Sequence, residues 1–205
     1  MTIKKFISRK LAKHFRKPSG LLGKIAGTKM NKLNDEQNSW VLSLLKIKSD
    51  DNVLEIGYGP GKTIQKLAKI VTRGKICGVD FSTTMFKVAS RLNKVGIKNK
   101  KINLKCGEAE NIPFEKNYFD KVMTVHTVYF WPDLMRVFTE IYRVIKTKGQ
   151  FALGFIYPIL TQNEFFISYT PEEIKQKLNK SNFKKVKVKT KTFGKRNGIC
   201  LLAQK

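Results

Sequence analysis

Residues 51–61 read Asp-Asn-Val-Leu-Glu-Ile-Gly-Tyr-Gly-Pro-Gly, and this run constrains the fold more than any other part of the chain. Val53, Leu54 and Ile56 form a short apolar stretch bounded by polar residues and glycine, the pattern of a strand covered on both faces. Gly57, Gly59 and Gly61 alternate, so the backbone turns tightly and a ligand can approach where a Cβ would obstruct it. Thr63, Ile64, Leu67, Ala68 and Val71 follow at helical spacing. Strand, glycine turn and helix make the first half of a nucleotide-binding βαβ unit. Taken alone, the stretch is also compatible with an ordinary strand–loop–helix corner.

Three ligand classes use such a turn. A P-loop requires Gly-x-x-x-x-Gly-Lys-(Ser/Thr); Gly61-Lys62-Thr63 ends it correctly, but Ile56 stands where its first glycine belongs. A dinucleotide fingerprint requires Gly-x-Gly-x-x-Gly, and Lys62 stands where its last glycine belongs. The third ligand is S-adenosylmethionine, whose methionine end needs amide donors for a carboxylate and an acceptor for an ammonium. Glu55 can supply that acceptor directly or through water, and a carboxylate there would repel a pyrophosphate. The run resembles motif I of the class I S-adenosylmethionine-dependent methyltransferases, and the order of the segments after it supports the resemblance.

Lys75 to Asp80 reads as a second strand ending in an acid, 19 residues beyond Gly61. An acid there is placed to take both ribose hydroxyls of an adenosine. Ser82 can cap the next helix, whose buried stripe would be Met85, Val88, Ala89 and Leu92. Met85 is either an adenosine contact or plain core. Ile102 to Cys106 is a third strand, and Gly107 to Phe114 resembles the family's Gly-Asp-Ala-x-x-(Leu/Ile)-Pro-Phe segment, with Glu108 in place of Asp. In the family this turn meets the adenine, so Glu108 and Ala109 join the expected site. The resemblance thus implies cofactor contacts at Glu55, Gly57, Tyr58, Gly59, Gly61, Asp80, Phe81, Met85, Glu108, Ala109 and Val125.

Lys121 to Val125 is the fourth strand and Phe151 to Ile156 the fifth, joined through a helix that starts near Pro132 and a turn at 146–150. Ligands of a doubly wound sheet bind beyond the carboxyl ends of its central strands. The loop His126 to Asp133 should therefore overhang the reactive methyl. His126 is the candidate general base, with packing on the cofactor as the alternative. Tyr129 and Trp131 could hold a planar or cationic substrate or could be loop core, and Tyr157 could help close the pocket. No Asn-Pro-Pro-Tyr or Asp-Pro-Pro-Tyr run follows the fourth strand, which argues against the type that methylates amino nitrogens of DNA or glutamine. Thr170-Pro171-Glu172-Glu173 opens a helix, and a terminal hairpin follows. The expected fold is α/β: one doubly wound, mostly parallel seven-stranded sheet with helices on both faces and an antiparallel C-terminal edge strand.

At 205 residues one domain is expected, spanning 31–205, preceded by a basic amphipathic segment at 1–30. In that segment Ile3, Phe6, Ile7, Lys10, Leu11 and Phe15 form a stripe on a basic helix, either a lid over the cofactor or a membrane-surface helix. The formal net charge of +26 would attract anionic lipid or nucleic acid; a compositional bias with no binding role is the alternative. The longest apolar runs are well short of the ~18 residues of a membrane span. Cys77, Cys106 and Cys200 are widely spaced and odd in number, so neither a disulfide framework nor a metal site is expected, and free thiols in a cytoplasmic setting are the simple reading, with membrane association through residues 1–20 left open. The resemblance implies methyl transfer from S-adenosylmethionine to a small-molecule or lipid-like acceptor. An RNA methyltransferase recruited by charge and a non-catalytic S-adenosylmethionine-binding protein are the alternatives.

Overall fold

The computed structural model describes residues 34–158 and 166–205. The amphipathic segment 1–30 and the middle of the 157–169 loop lie outside the described residues. Residues 34–45 are helical (α1). There follow β1 (Val53–Ile56), α2 (Lys62–Ile70), β2 (Ile76–Asp80), α3 (Thr83–Leu92), α4 (Lys94–Lys98), β3 (Ile102–Cys106), β4 (Phe119–Val125), a single 3-10 turn (Val128–Phe130), α5 (Leu134–Val144), β5 (Ile145–Ile156), α6 (Pro171–Lys180), β6 (Lys184–Phe193) and β7 (Arg196–Gln204). One seven-stranded sheet has the order β3-β2-β1-β4-β5-β7-β6.

β1 pairs in parallel with β2 and with β4, and all four of its residues are buried. Successive side chains of a strand leave on opposite faces. Leu54 and Ile56 accordingly pack with Val137, Phe138 and Ile141 of α5 and Ile174 of α6, while Val53 packs with Val41 and Leu45 of α1 and Ile64 and Leu67 of α2. Helices thus cover both faces, as the continuous apolar strands require. The antiparallel strand is β7, which pairs with both β5 and β6 and leaves β6 outermost. β6 exposes Lys184, Lys185, Lys187, Lys189 and Lys191, which discourage edge-to-edge pairing with another chain.

Several local expectations are corrected. Spacing predicts a helix from Asn31 to Lys46 with Trp40, Leu44 and Leu45 toward the core; in the structure Trp40 and Leu44 are only half-buried, and the inward face of α1 is Gln37, Asn38, Val41, Leu42 and Leu45. Gln37 is admitted because its Nε2 donates to the Phe155 carbonyl at 2.8 Å. In α3 only Met85 and Ala89 are buried; Leu92 is 39% exposed at the end that leaves the sheet. Pro132 precedes α5 rather than opening it, and Asp133 is the cap, accepting from the amides of Met135 and Arg136 at 3.0 and 3.1 Å. β5 begins at Ile145 rather than Phe151: Phe119 pairs with Ile145 and Lys121 with Gln150, so the 146–149 turn is a bulge within the strand, with Lys148 at φ 66°. The capping box of α6 forms as expected from Thr170, Pro171 and Glu173.

Candidate active site

The chain runs outward from β1 through β2 to β3, then returns so that β4 lies on the other side of β1. The crevice at the carboxyl ends of β1 and β4 is the switch point at which doubly wound sheets bind ligands. A cavity of about 250 Å³ opens there. Its wall is made from the ends of β1, β2 and β4, the turn after β3, and α1.

The glycine turn shapes one side. Gly57, Gly59 and Gly61 have φ of 75°, 51° and 84°, a region that side-chain-bearing residues rarely adopt. A Cβ on Gly57 would lie 2.2 Å from Thr127 Cγ2, so the turn and the end of β4 are in van der Waals contact only because residue 57 is glycine. Gly61 does not line the cavity: a Cβ there would lie 2.7 Å from that of Ala89, and its carbonyl accepts from Asn93 Nδ2 at 3.1 Å. Its bareness lets α2 approach α3. Tyr58 lines the wall with its ring under Gly78 and donates its hydroxyl to the Lys105 carbonyl at 3.1 Å.

Two carboxylates stand beside this turn, Glu55 at 4% exposure and Asp80 at 7%. Asp80 is held by amides, Gly59 N–H on Oδ2 at 2.8 Å and Ser82 N–H on Oδ1 at 2.9 Å. Burial still raises its pKa against those two bonds. Glu55 sits deeper. Burial pushes its pKa up to about 8, the Thr63 hydroxyl bond lowers it, and the Asp80 charge adds to the rise. Its Oε2 has no hydrogen-bond partner among the described residues.

The turn after β3 contributes Gly107, Glu108, Ala109 and Glu110 to the wall. The Glu108 side chain is exposed, while the Gly107 amide donates to the Asp80 carbonyl at 3.0 Å. The far limb of this turn is clamped by α5: Ile112 N–H donates to Glu140 Oε2 at 2.8 Å, and Arg143 donates to the carbonyls of Phe114 and Ile112 at 2.9 and 2.8 Å. Arg143 also pairs with Glu140 at 2.7 Å, which holds the Glu140 carboxyl below its usual range. Neither residue was singled out from sequence; a Glu–Arg pair at i, i+3 on a helix carries no signal of a loop partner.

The third side is the segment after β4. His126 has φ 62° and donates its amide to the Gly154 carbonyl at 2.8 Å. Its imidazole lines the cavity with Thr127, Phe130, Trp131 and Pro132. Burial, with the Arg196 charge, lowers its pKa to about 3, and its Nε2 has no partner among the described residues. Tyr129 is 8% exposed and is not part of the wall; Tyr157 is half-buried against the core and is not part of it either. Of the residues expected to contact cofactor, Glu55, Gly57, Tyr58, Gly59, Asp80, Phe81, Met85, Glu108, Ala109 and Val125 line one cavity, and Gly61 stands behind it. Asn34 and Asn38 of α1, Thr63 of α2, Thr127 and Phe130 line it without having been singled out. The two asparagines, i and i+4 on the face that also carries Val41 and Leu45, were the available signal for α1.

Among the described residues no helix is long and apolar enough to cross a membrane. Residues 54–153 match the methyltransferase-domain family. An uncharacterized methyltransferase of Bacillus subtilis, YdaC, is 33% identical over 129 residues, 63% of this chain and 69% of that protein. The demethylmenaquinone methyltransferase of Listeria welshimeri is 32% identical over 59% of this chain, which spans 51% of it. The phosphoethanolamine N-methyltransferase 2 of Haemonchus contortus, solved with phosphomonomethylethanolamine and S-adenosylhomocysteine, superposes with a TM-score of 0.76 at 18% identity, over 90% of this chain and 58% of that one. The chain therefore spans about half of the latter two proteins and shares the fold of the last. From the aligned span, which carries the glycine turn and both strand-end carboxylates, the chain belongs to the class I S-adenosylmethionine-dependent methyltransferases and is an enzyme of that class.

Proposed function

We propose that S-adenosylmethionine lies across the ends of β1 and β2, and that its methyl group is directed toward the segment after β4, to a small-molecule or lipid-like acceptor. Glu55 carries this reading. An unpaired carboxyl oxygen buried in a cavity wall costs a few kcal/mol, on the order of 1–3, unless a ligand supplies its partner. An ammonium is the partner of the right charge. A pyrophosphate in its place would be repelled by whichever of the Glu55 and Asp80 carboxyls is ionised.

Asp80, oriented by two amides, keeps one further lone-pair direction on each oxygen for a pair of ribose hydroxyls. The 107–110 turn meets the adenine through backbone and through Ala109, since the Glu108 side chain is exposed. Phe81 and Met85 pack on the adenosine. When bound, the sulfonium cofactor supplies an electrophilic methyl. The chain's own part is to align the nucleophile, exclude water and hold the acceptor. Phe130, Trp131, Pro132 and Val125 give the acceptor side an apolar wall. A quinone methyltransferase among the relatives, and an aminophosphate methyltransferase among the structures of the same fold, support a small or lipid-like acceptor.

Asn34, the first residue of α1, lines the cavity. This supports residues 1–30 as a separate segment acting as a lid. Transfer of labelled methyl into fractionated extracts tests the acceptor: label in the small-molecule or lipid fraction is expected. Label confined to RNA, with binding that falls steeply as salt rises, would refute the acceptor class and favour recruitment through lysines such as those of β6.

A further inference from the structure

Tyr129 stands behind His126 rather than in the cavity, and its hydroxyl is heavily used. It accepts the Ile156 N–H at 2.6 Å and donates to the Ile156 carbonyl at 3.2 Å. The same oxygen lies 3.5 Å from His126 Nδ1. A phenol has one proton and two lone pairs. The carbonyl can only accept and is the nearer of the two proton acceptors, so the phenol proton goes there. Toward Nδ1 the hydroxyl then presents a lone pair, and Nδ1 carries the imidazole hydrogen. A neutral imidazole has only one, so Nε2 is left as a bare acceptor. Burial and the Arg196 charge keep the ring neutral. The backbone cannot relax this arrangement: His126 is fixed by its amide bond to Gly154, and β5 fixes Ile156.

We propose that Tyr129 is a positioning residue that holds His126 in the Nδ1–H tautomer, so that its Nε2 accepts a hydrogen bond from the methyl acceptor, which therefore bears an O–H or N–H group. The inference rests on the methyl-transfer reading for what fills the cavity, but the tautomer does not. A lone pair of that oxygen or nitrogen forms the bond to the methyl carbon as the methyl–sulfur bond breaks and its electrons return to sulfur. The Nε2 lone pair aligns the nucleophile. The proton that an O–H acceptor loses passes along that hydrogen bond to Nε2 and leaves to solvent as the product departs; a methylated amine keeps its proton until it reaches solvent.

Long-range proton–nitrogen correlation on the 15N-labelled protein tests this; His14 and His126 are its two histidines, and His126→Gln assigns the signals. The expected pattern for His126 is a protonated Nδ1 and a bare Nε2. In Tyr129→Phe the Nδ1–H form loses its partner and the tautomer shifts toward Nε2–H, while calorimetric affinity for S-adenosylmethionine stays within about threefold, under 1 kcal/mol. An Nε2–H wild type, or a Tyr129→Phe protein with the wild-type tautomer, overturns the assignment. With S-adenosylhomocysteine bound, phenol is expected to move the Nε2 resonance and anisole not to; an equal response to both, or none to either, overturns the acceptor class. Failure of S-adenosylmethionine to bind the wild type would instead strike the cofactor reading, leaving the tautomer result intact.

Discussion

Binding of the cofactor should release a proton from Glu55. The group is buried beside Asp80, and its pKa is pushed up to about 8 from 4.5. A carboxyl with that pKa is only about one-tenth ionised at neutral pH, and its ionised fraction climbs from about 1% to about 50% between about pH 6 and pH 8. An ammonium binds only the ionised form. Affinity for S-adenosylmethionine should therefore rise about fiftyfold over that interval, about 2 kcal/mol, with about 0.9 proton released per ligand near pH 7. Stability of the ligand-free protein should move the other way. The folded state holds a proton that the unfolded chain gives up from about pH 4.5, so stability falls as pH rises toward 8, by up to roughly 5 kcal/mol. Glu55→Gln keeps a partner for Thr63 but cannot ionise. It should flatten both profiles and weaken binding near pH 8 by about 2–3 kcal/mol, roughly 30- to 150-fold. Titration calorimetry in buffers of different ionisation enthalpy measures the proton directly. A wild-type affinity flat from about pH 6 to pH 8, with no proton released, would refute the reasoning.

Gly57→Ala places a methyl 2.2 Å from Thr127 Cγ2 at a φ of 75°; it should cost about 2–4 kcal/mol and lower the melting temperature by roughly 5–15 °C in a thermal scan. Arg143→Met frees the carbonyls of Ile112 and Phe114 that it now holds; it should raise the cofactor Kd about tenfold with little change in turnover at saturation, and an unchanged Kd would show that the clamp does not shape the adenine turn. Deleting residues 1–30 should weaken cofactor retention if the segment is a lid; unchanged retention with lost binding to anionic vesicles would make it a membrane-surface helix.

Much of this was legible in the chain because each signal was local. Val53 to Ile56 reads as a covered strand from four residues, and Asp80 follows from the length of one βαβ unit. What could not be read depended on distant partners. Tyr129 looks like a pocket aromatic, yet Ile156, 27 positions on, takes its hydroxyl and turns it into the core. Gly61 looks like a ligand glycine until Ala89 and Asn93 are seen against it. Asn34 and Asn38 belong to the cavity only because α1 packs over the ends of β1 and β4. The position of β5's bulge was hidden because its register is set by Phe119 and Lys121 on another strand.

The most direct measurement is a crystal structure of the complex with S-adenosylhomocysteine. Its amine is expected within hydrogen-bond reach of the Glu55 carboxyl, about 2.7–3.2 Å, with both ribose hydroxyls on Asp80. A ligand bound with its amine away from Glu55, or with its ribose on residues other than Asp80, would contradict the proposed cofactor site.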